Sequence, residues 1–79
     1  MTNKEIADKF QDLANIMELH KENKFKIRSY KNAYITLRKL DQALSEMSDT
    51  EIQGIKGVGK AISEKIRGLL NGEEIYIYA

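Results

Sequence analysis

Cysteine, proline and tryptophan are all missing from the 79 residues, and histidine occurs once. Without cysteine there is neither a disulfide nor a thiolate to act as nucleophile or ligand. Without proline the chain lacks the strongest helix breaker. No apolar run approaches the ~20 residues that cross a bilayer. The opening Met1-Thr2-Asn3-Lys4-Glu5 lacks a basic stretch followed by an apolar one, so no secretory signal is visible and an intracellular, soluble protein is expected. His20 has no ligand partners nearby in sequence, and neither a zinc site, a nucleophile–base pair nor a P-loop is present. A chain this short makes one small domain, expected over residues 1–79, and leaves no room for a polymerase or nuclease of ordinary size.

What is there is charge, unevenly spread. The net charge is +1, yet residues 23–40 hold Lys24, Lys26, Arg28, Lys31, Arg38 and Lys39 without a single acid. Residues 56–72 hold Lys56, Lys60, Lys65 and Arg67 against Glu64 alone. Acids dominate elsewhere, in residues 1–22, 41–55 and the tail. A two-sided molecule is the expected outcome, with a positive face able to attract a polyanion despite near neutrality overall.

The apolar residues repeat with helical spacing. Ile6, Phe10, Leu13, Met17 and His20 predict a helix from about Asn3 to His20, capped by Thr2 or Asn3 and broken near Asn23. Ile27, Tyr30, Tyr34 and Leu37 predict a second from about Lys26 to Lys39. Leu40–Met47 reads as a short third helix or a bent continuation. Ser48 or Asp49 is a good N-cap, with Glu51 placed for a capping box with Ser48, and opens a very short helix from about Asp49 to Gln53. A last helix runs from about Gly59 to Leu70, with Val58, Ile62, Ile66, Leu69 and Leu70 inward, and Asn71-Gly72 stops it. Ile75–Tyr78 alternates like a strand without a visible partner and reads as a tail. The fold class is all-α, a small bundle of roughly four to five helices.

Gly57-Val58-Gly59 is the most informative stretch. Glycine permits positive φ and has no Cβ, so such a triplet turns sharply and admits another molecule to its backbone. The helix behind it offers unpaired N–H groups and the positive end of a dipole. With Lys56 and Lys60 beside them, these groups make a receptor for a phosphate, and DNA is its expected owner. Lys56, Gly57, Val58, Gly59, Lys60 and Ala61 are therefore the candidate phosphate-binding residues, with Arg28, Lys31 and Arg67 as supporting cations. Contacts of this kind address the backbone and not the bases, so binding is expected to be sequence-independent.

Short helix, Gly-apolar-Gly turn and second helix over residues 49–70 resemble a helix-hairpin-helix motif. The likeness extends through Asn3-Lys4-Glu5-Ile6-Ala7, Phe25–Tyr34 and Leu69–Glu73 to the all-helical N-terminal domain of family X DNA polymerases, over about residues 3–75. That resemblance implies binding of gapped or 5′-phosphorylated DNA in repair, beside a polymerase or another repair domain, by a monomer with no membrane partner. It implies that the amides near Gly57, Gly59, Lys60 and Ala61 contact phosphates. It also implies that the carbonyls of Gln53, Ile55 and Val58 hold a monovalent cation, Na+ or K+, and that Lys26 and Tyr30 line a 5′-phosphate pocket. Lys65 matches the lysine that forms a Schiff base with a 5′-deoxyribose phosphate before β-elimination. The pattern departs at Ala61 and Phe25, where family members such as DNA polymerase beta carry a lysine and a histidine.

Two further readings stand beside DNA binding. A lyase needs a neutral Lys65 amine, which asks for burial or nearby cations such as Lys26, Lys60 and Arg67. Some small helix-hairpin-helix domains in nucleases bind partner proteins, and here Tyr30, Tyr34, Tyr76 and Tyr78 would supply the interface.

Overall fold

The Thr2 hydroxyl accepts the Glu5 amide at 3.1 Å, and the Glu5 carboxylate accepts the Thr2 amide at 2.8 Å. This reciprocal box starts helix α1, Asn3–Leu19, in the computed structural model, which describes residues 1–73. Ile6, Phe10, Leu13 and Met17 are buried as their spacing predicts, with Ala7 and Ala14 between them, whereas His20 is an exposed C-cap. The helix closes on a Schellman arrangement: the Glu22 amide reaches the Met17 carbonyl at 2.9 Å and the Lys21 amide reaches Glu18 at 3.1 Å. Lys21 adopts φ +54°, a position where glycine is usual.

Helix α2 spans Lys24–Arg38 and starts about two residues earlier than its apolar spacing suggests, because Asn23 starts it. The Asn23 side chain accepts the Phe25 amide at 2.8 Å. Asn23 was expected as a C-terminal break of α1; its short carboxamide instead serves the following helix, and Lys21 makes the break. α1 and α2 lie antiparallel, with the Phe10 and Tyr30 rings 5.6 Å apart at a tilt of 57° and an ion pair between Lys31 and Glu18. Tyr30, Ala33 and Leu37 are buried; Ile27 and Tyr34 are partly so.

Leu40–Met47 forms neither a full helix nor a continuation. Only Leu44–Glu46 makes a 3-10 turn, and the remainder is irregular, with bends at Gln42 and Met47. The cause lies at the other end of the chain. Asn3 Nδ2 donates to the carbonyls of Gln42 at 2.7 Å and Leu40 at 3.3 Å, and its Oδ1 accepts the Leu44 amide at 2.8 Å. One side chain thus supplies partners the backbone here would otherwise find in a helix, while Leu44 and Met47 plug the core.

Ser48 and Glu51 form the expected capping box and open α3, Asp49–Gln53. After a hairpin, α4 runs Lys60–Leu70 and buries Ile62, Ile66 and Leu69. It ends on a second Schellman pair, Glu73 to Gly68 at 2.9 Å and Gly72 to Leu69 at 3.0 Å. α3 and α4 are held together by Arg67. Its Nε donates to Asp49 Oδ1 at 2.7 Å and its guanidinium to the Met47 carbonyl at 2.9 Å. The all-helical bundle expected from the periodicity is the one observed, four α-helices and a 3-10 turn. Among the described residues no helix is long and apolar enough to cross a membrane. The Ile75–Tyr78 tail lies outside the described residues.

Two measurements test this account. Lys21→Gly relieves a left-handed backbone and raises stability by about 1 kcal/mol in denaturant titration; an unchanged or lower midpoint contradicts the strain. Hydrogen bonds from the amides, then the hydroxyls, of Thr2 and Ser48 hold the Glu5 and Glu51 carboxyls below the usual glutamate range. Their contribution is therefore full above that range and lost as pH falls through the lowered folded values. The Glu5→Gln, Glu51→Gln double variant loses less Tm on acidification through that window than the parent; equal losses rule the assignment out.

Candidate nucleic-acid interface

The hairpin is built from a helix stop, a turn and an uncapped helix start. Gly54 ends α3, with its amide on the Thr50 and Glu51 carbonyls at 3.0 and 3.2 Å, and the Ile55 amide returns to Ile52 at 3.1 Å. The four residues Ile55–Val58 then reverse the chain, closed by the Val58 amide on the Ile55 carbonyl at 2.9 Å. Gly57, third in the turn, has φ +86°, the conformation that a type II turn demands there and that side chains resist. Ile55 is partly buried and Val58 is buried, so the turn is pinned at both ends while Lys56 and Gly57 remain exposed.

Gly59 is different. Its backbone is extended, at φ −89° and ψ −176°, which any residue adopts, and a Cβ built there meets no atom within 4 Å. The fold therefore does not require glycine at this position. Gly59 is the N-cap of α4 and no side chain caps that helix, so the amides of Lys60, Ala61 and Ile62 have no intrahelical acceptor. Lys56, Lys60 and Ala61 are exposed, and no acid lies in the first turn of α4. Among the described residues Lys56 and Lys60 pair with no carboxylate, because Asp49 is engaged by Arg67 and Glu51 by the Ser48 cap. Open amides, a positive helix end and two free ammonium groups suit a phosphate oxygen.

A second cluster forms between α2 and α4. The Lys65 ammonium lies 5.9 Å from the centre of the Tyr30 ring, although the two residues are far apart in sequence. Tyr30 is only 4 % exposed, its ring packed on Phe10. Among the described residues its hydroxyl has no hydrogen-bond partner and no buried side-chain oxygen is left unpaired, so the hydroxyl reaches the surface. Lys26 is exposed one helical turn before Tyr30, and Ala61 one turn before Lys65. Lys65 is partly buried. Schiff-base chemistry at this position needs the neutral amine.

The supporting cations divide. Arg28 is exposed and unpaired among the described residues. Lys31 is tied to Glu18, and Arg67 binds Asp49 and the Met47 carbonyl on the side of α4 away from Lys65. Arg67 thus holds the motif together and does not join Lys65 as a cationic neighbour. Sequence reasoning missed two residues. Asn3 positions the loop before α3, and nothing short-range in the chain announces it. Lys39, counted only as one of a basic block, borders the same groove as Lys56.

For a cation at the hairpin, oxygen donors are present. The Ile55 carbonyl already accepts the Val58 amide and keeps one lone pair, while the carbonyls of Gln53 and Val58 have no donor among the described residues. Neutral carbonyls without a carboxylate suit a monovalent ion better than a divalent one. Among the described residues no group of His, Cys, Asp and Glu side chains is arranged to hold a metal.

A family model for a helix-hairpin-helix domain matches residues 1–75. No curated protein and no solved structure gives a match.

The two glycines separate conformation from access. Gly57→Val strains the turn and lowers both stability and affinity for short duplex DNA. Gly59→Val keeps the Tm and fills the space before the α4 amides, so affinity falls alone. Parental affinity in a folded Gly59→Val variant removes the amides from the interface.

Proposed function

The chain belongs to the helix-hairpin-helix domain family, whose members generally bind DNA without sequence specificity; from that footing we propose that it grips the DNA backbone at a discontinuity, preferring gapped or 5′-phosphorylated ends. One observation carries the reading. The α4 N-terminus has no side-chain cap, has open space before Gly59 and stands between Lys56 and Lys60, which pair with no carboxylate among the described residues. Lys56, Gly57, Val58, Gly59, Lys60 and Ala61 address phosphates along one strand through amides and ammonium charge. The carbonyls of Gln53, Ile55 and Val58 hold a monovalent cation, Na+ or K+, which adds positive charge at the hairpin when bound. Lys26 and the surface-reaching Tyr30 hydroxyl receive a terminal 5′-phosphate, with Arg28 as a further cation. The likeness to the N-terminal domain of family X polymerases supports this placement and a role in intracellular DNA repair. In that role a monomer delivers the end to a polymerase or another repair domain.

A second reading, a 5′-deoxyribose-phosphate lyase, rests on the position of Lys65, partly buried and beside the Tyr30 of the proposed phosphate site. The neutral Lys65 amine attacks the C1′ aldehyde and water leaves as the imine forms. Loss of a C2′ proton then expels the 3′-phosphate in β-elimination.

Titration at low salt with gapped 5′-phosphorylated DNA, the same gap lacking the phosphate, and intact duplex tests the first reading. The phosphorylated gap binds tightest, and Lys26→Ala with Tyr30→Phe removes the preference. With about four phosphates neutralised, the log–log salt slope on duplex is near −3.6. Equal affinity for all three substrates refutes the preference, and no binding below ~100 μM refutes DNA binding in favour of a protein-interaction module. Borohydride trapping on the sugar-phosphate substrate tests the second reading. A covalent adduct lost in Lys65→Ala supports it; trapping that survives the substitution eliminates Lys65.

A further inference from the structure

The chain reversal at Ile55–Val58 leaves a groove of about 470 Å³ between the turn and the C-terminal half of α2. Ile35 and Leu40 lie in it, Lys39 and Lys56 border it, and Thr36 faces Gly57 across it, 3.9 Å from where a Gly57 Cβ would sit. Among the described residues no carboxylate lines the groove. The depression between α3 and α4, by contrast, is lined by Asp49, Glu64 and Glu73. Neither Lys39 nor Lys56 is paired among the described residues. Ile35 is 47 % exposed, because it stands two residues from each of the buried Ala33 and Leu37 and so on the other side of α2.

We infer that this groove is a second DNA contact, a track that carries the strand onward from the hairpin, with Lys39 and Lys56 on its phosphates. The inference rests on the DNA-binding reading of the hairpin. The groove shares Lys56 and Gly57 with that hairpin, so a strand seated on the α4 amides leaves across its mouth. An open channel with apolar walls and cationic rims fits a sugar–phosphate chain: the deoxyribose faces lie against Ile35 and Leu40 while the phosphates stay at the rim near solvent. An acidic peptide shares part of this chemistry. The continuity with the hairpin favours the nucleic acid, because one ligand then accounts for both surfaces.

The experiment is a salt titration of duplex binding by the full chain and by the variants Lys39→Gln, Ile35→Glu and Gly59→Val, with NMR amide mapping of the parent. Lys39→Gln is expected to reduce the magnitude of the salt slope by about 0.9, the loss of one phosphate contact. Ile35→Glu places a carboxylate in the track and weakens binding, with Tm retained because the site is half exposed. The Thr36 and Lys39 amides shift with DNA together with those of Gly59 and Lys60. An unchanged slope in Lys39→Gln together with parental affinity in Ile35→Glu overturns the track while leaving the hairpin intact, provided Gly59→Val still weakens binding. Loss of no affinity in any variant defeats both. Shifts at Thr36 and Lys39 with a poly-glutamate peptide but not with DNA assign the groove to an acidic protein partner and refute the inference.

Discussion

The arrangement depends on the anchoring of one turn. Ile52 before it, Ile55 and Val58 at its two ends, and Ile62 after it sink into the core shared with α1 and α2, and that burial forces the intervening backbone outward. Lys56, Gly57 and Gly59 are exposed, two without a side chain and one whose ammonium stays in water, and they form the crest. Removing apolar area from water is the largest favourable contribution available to a chain of this size, so a strong, non-directional force ends up fixing a directional feature. The helix that starts at Lys60 cannot turn its open amides inward without lifting Val58 and Ile62 out of the core.

Much of this was legible in the residue order. The steps of three and four among Ile6, Phe10, Leu13 and Met17 give the α1 face, and Ser48 with Glu51 gives the start of α3. The Gly-apolar-Gly triplet locates the hairpin because the apolar residues on both sides are in register with it. These signals are local: each is set by neighbours within about one helical turn. Legibility fails where a residue acts across the chain. Asn3 reads as a possible cap, yet its carboxamide closes a loop some forty positions away while Thr2 does the capping. Arg67 counts as one more cation until Asp49 and the Met47 carbonyl are seen to hold it. Asn23 has the chemistry of either helix end, and only the left-handed Lys21 before it decides which.

The site shows the same division. The two glycines look equivalent in sequence, but they differ in cause: Gly57 answers a demand of the turn, whereas the fold makes no demand at Gly59. Charge was readable in blocks and not in individuals. Of the cations in the basic segments, Lys31 and Arg67 neutralise carboxylates of the domain itself, and Arg38 leans on Tyr34, its Nη1 2.6 Å from the phenol oxygen. Among the described residues Lys24, Lys26, Arg28, Lys39, Lys56 and Lys60 are left without such partners, and they lie along α2 and the hairpin.

The clasp that Arg67 makes on the first turn of α3 has a thermodynamic meaning. With both ends of the motif tied before any ligand arrives, the receptor has little disorder to surrender on association. Each immobilised flexible side chain that must be ordered at an interface costs on the order of 1 kcal/mol, and a main chain already held in place adds nothing to that cost. A domain with few contacts to offer thereby keeps most of their free energy as affinity.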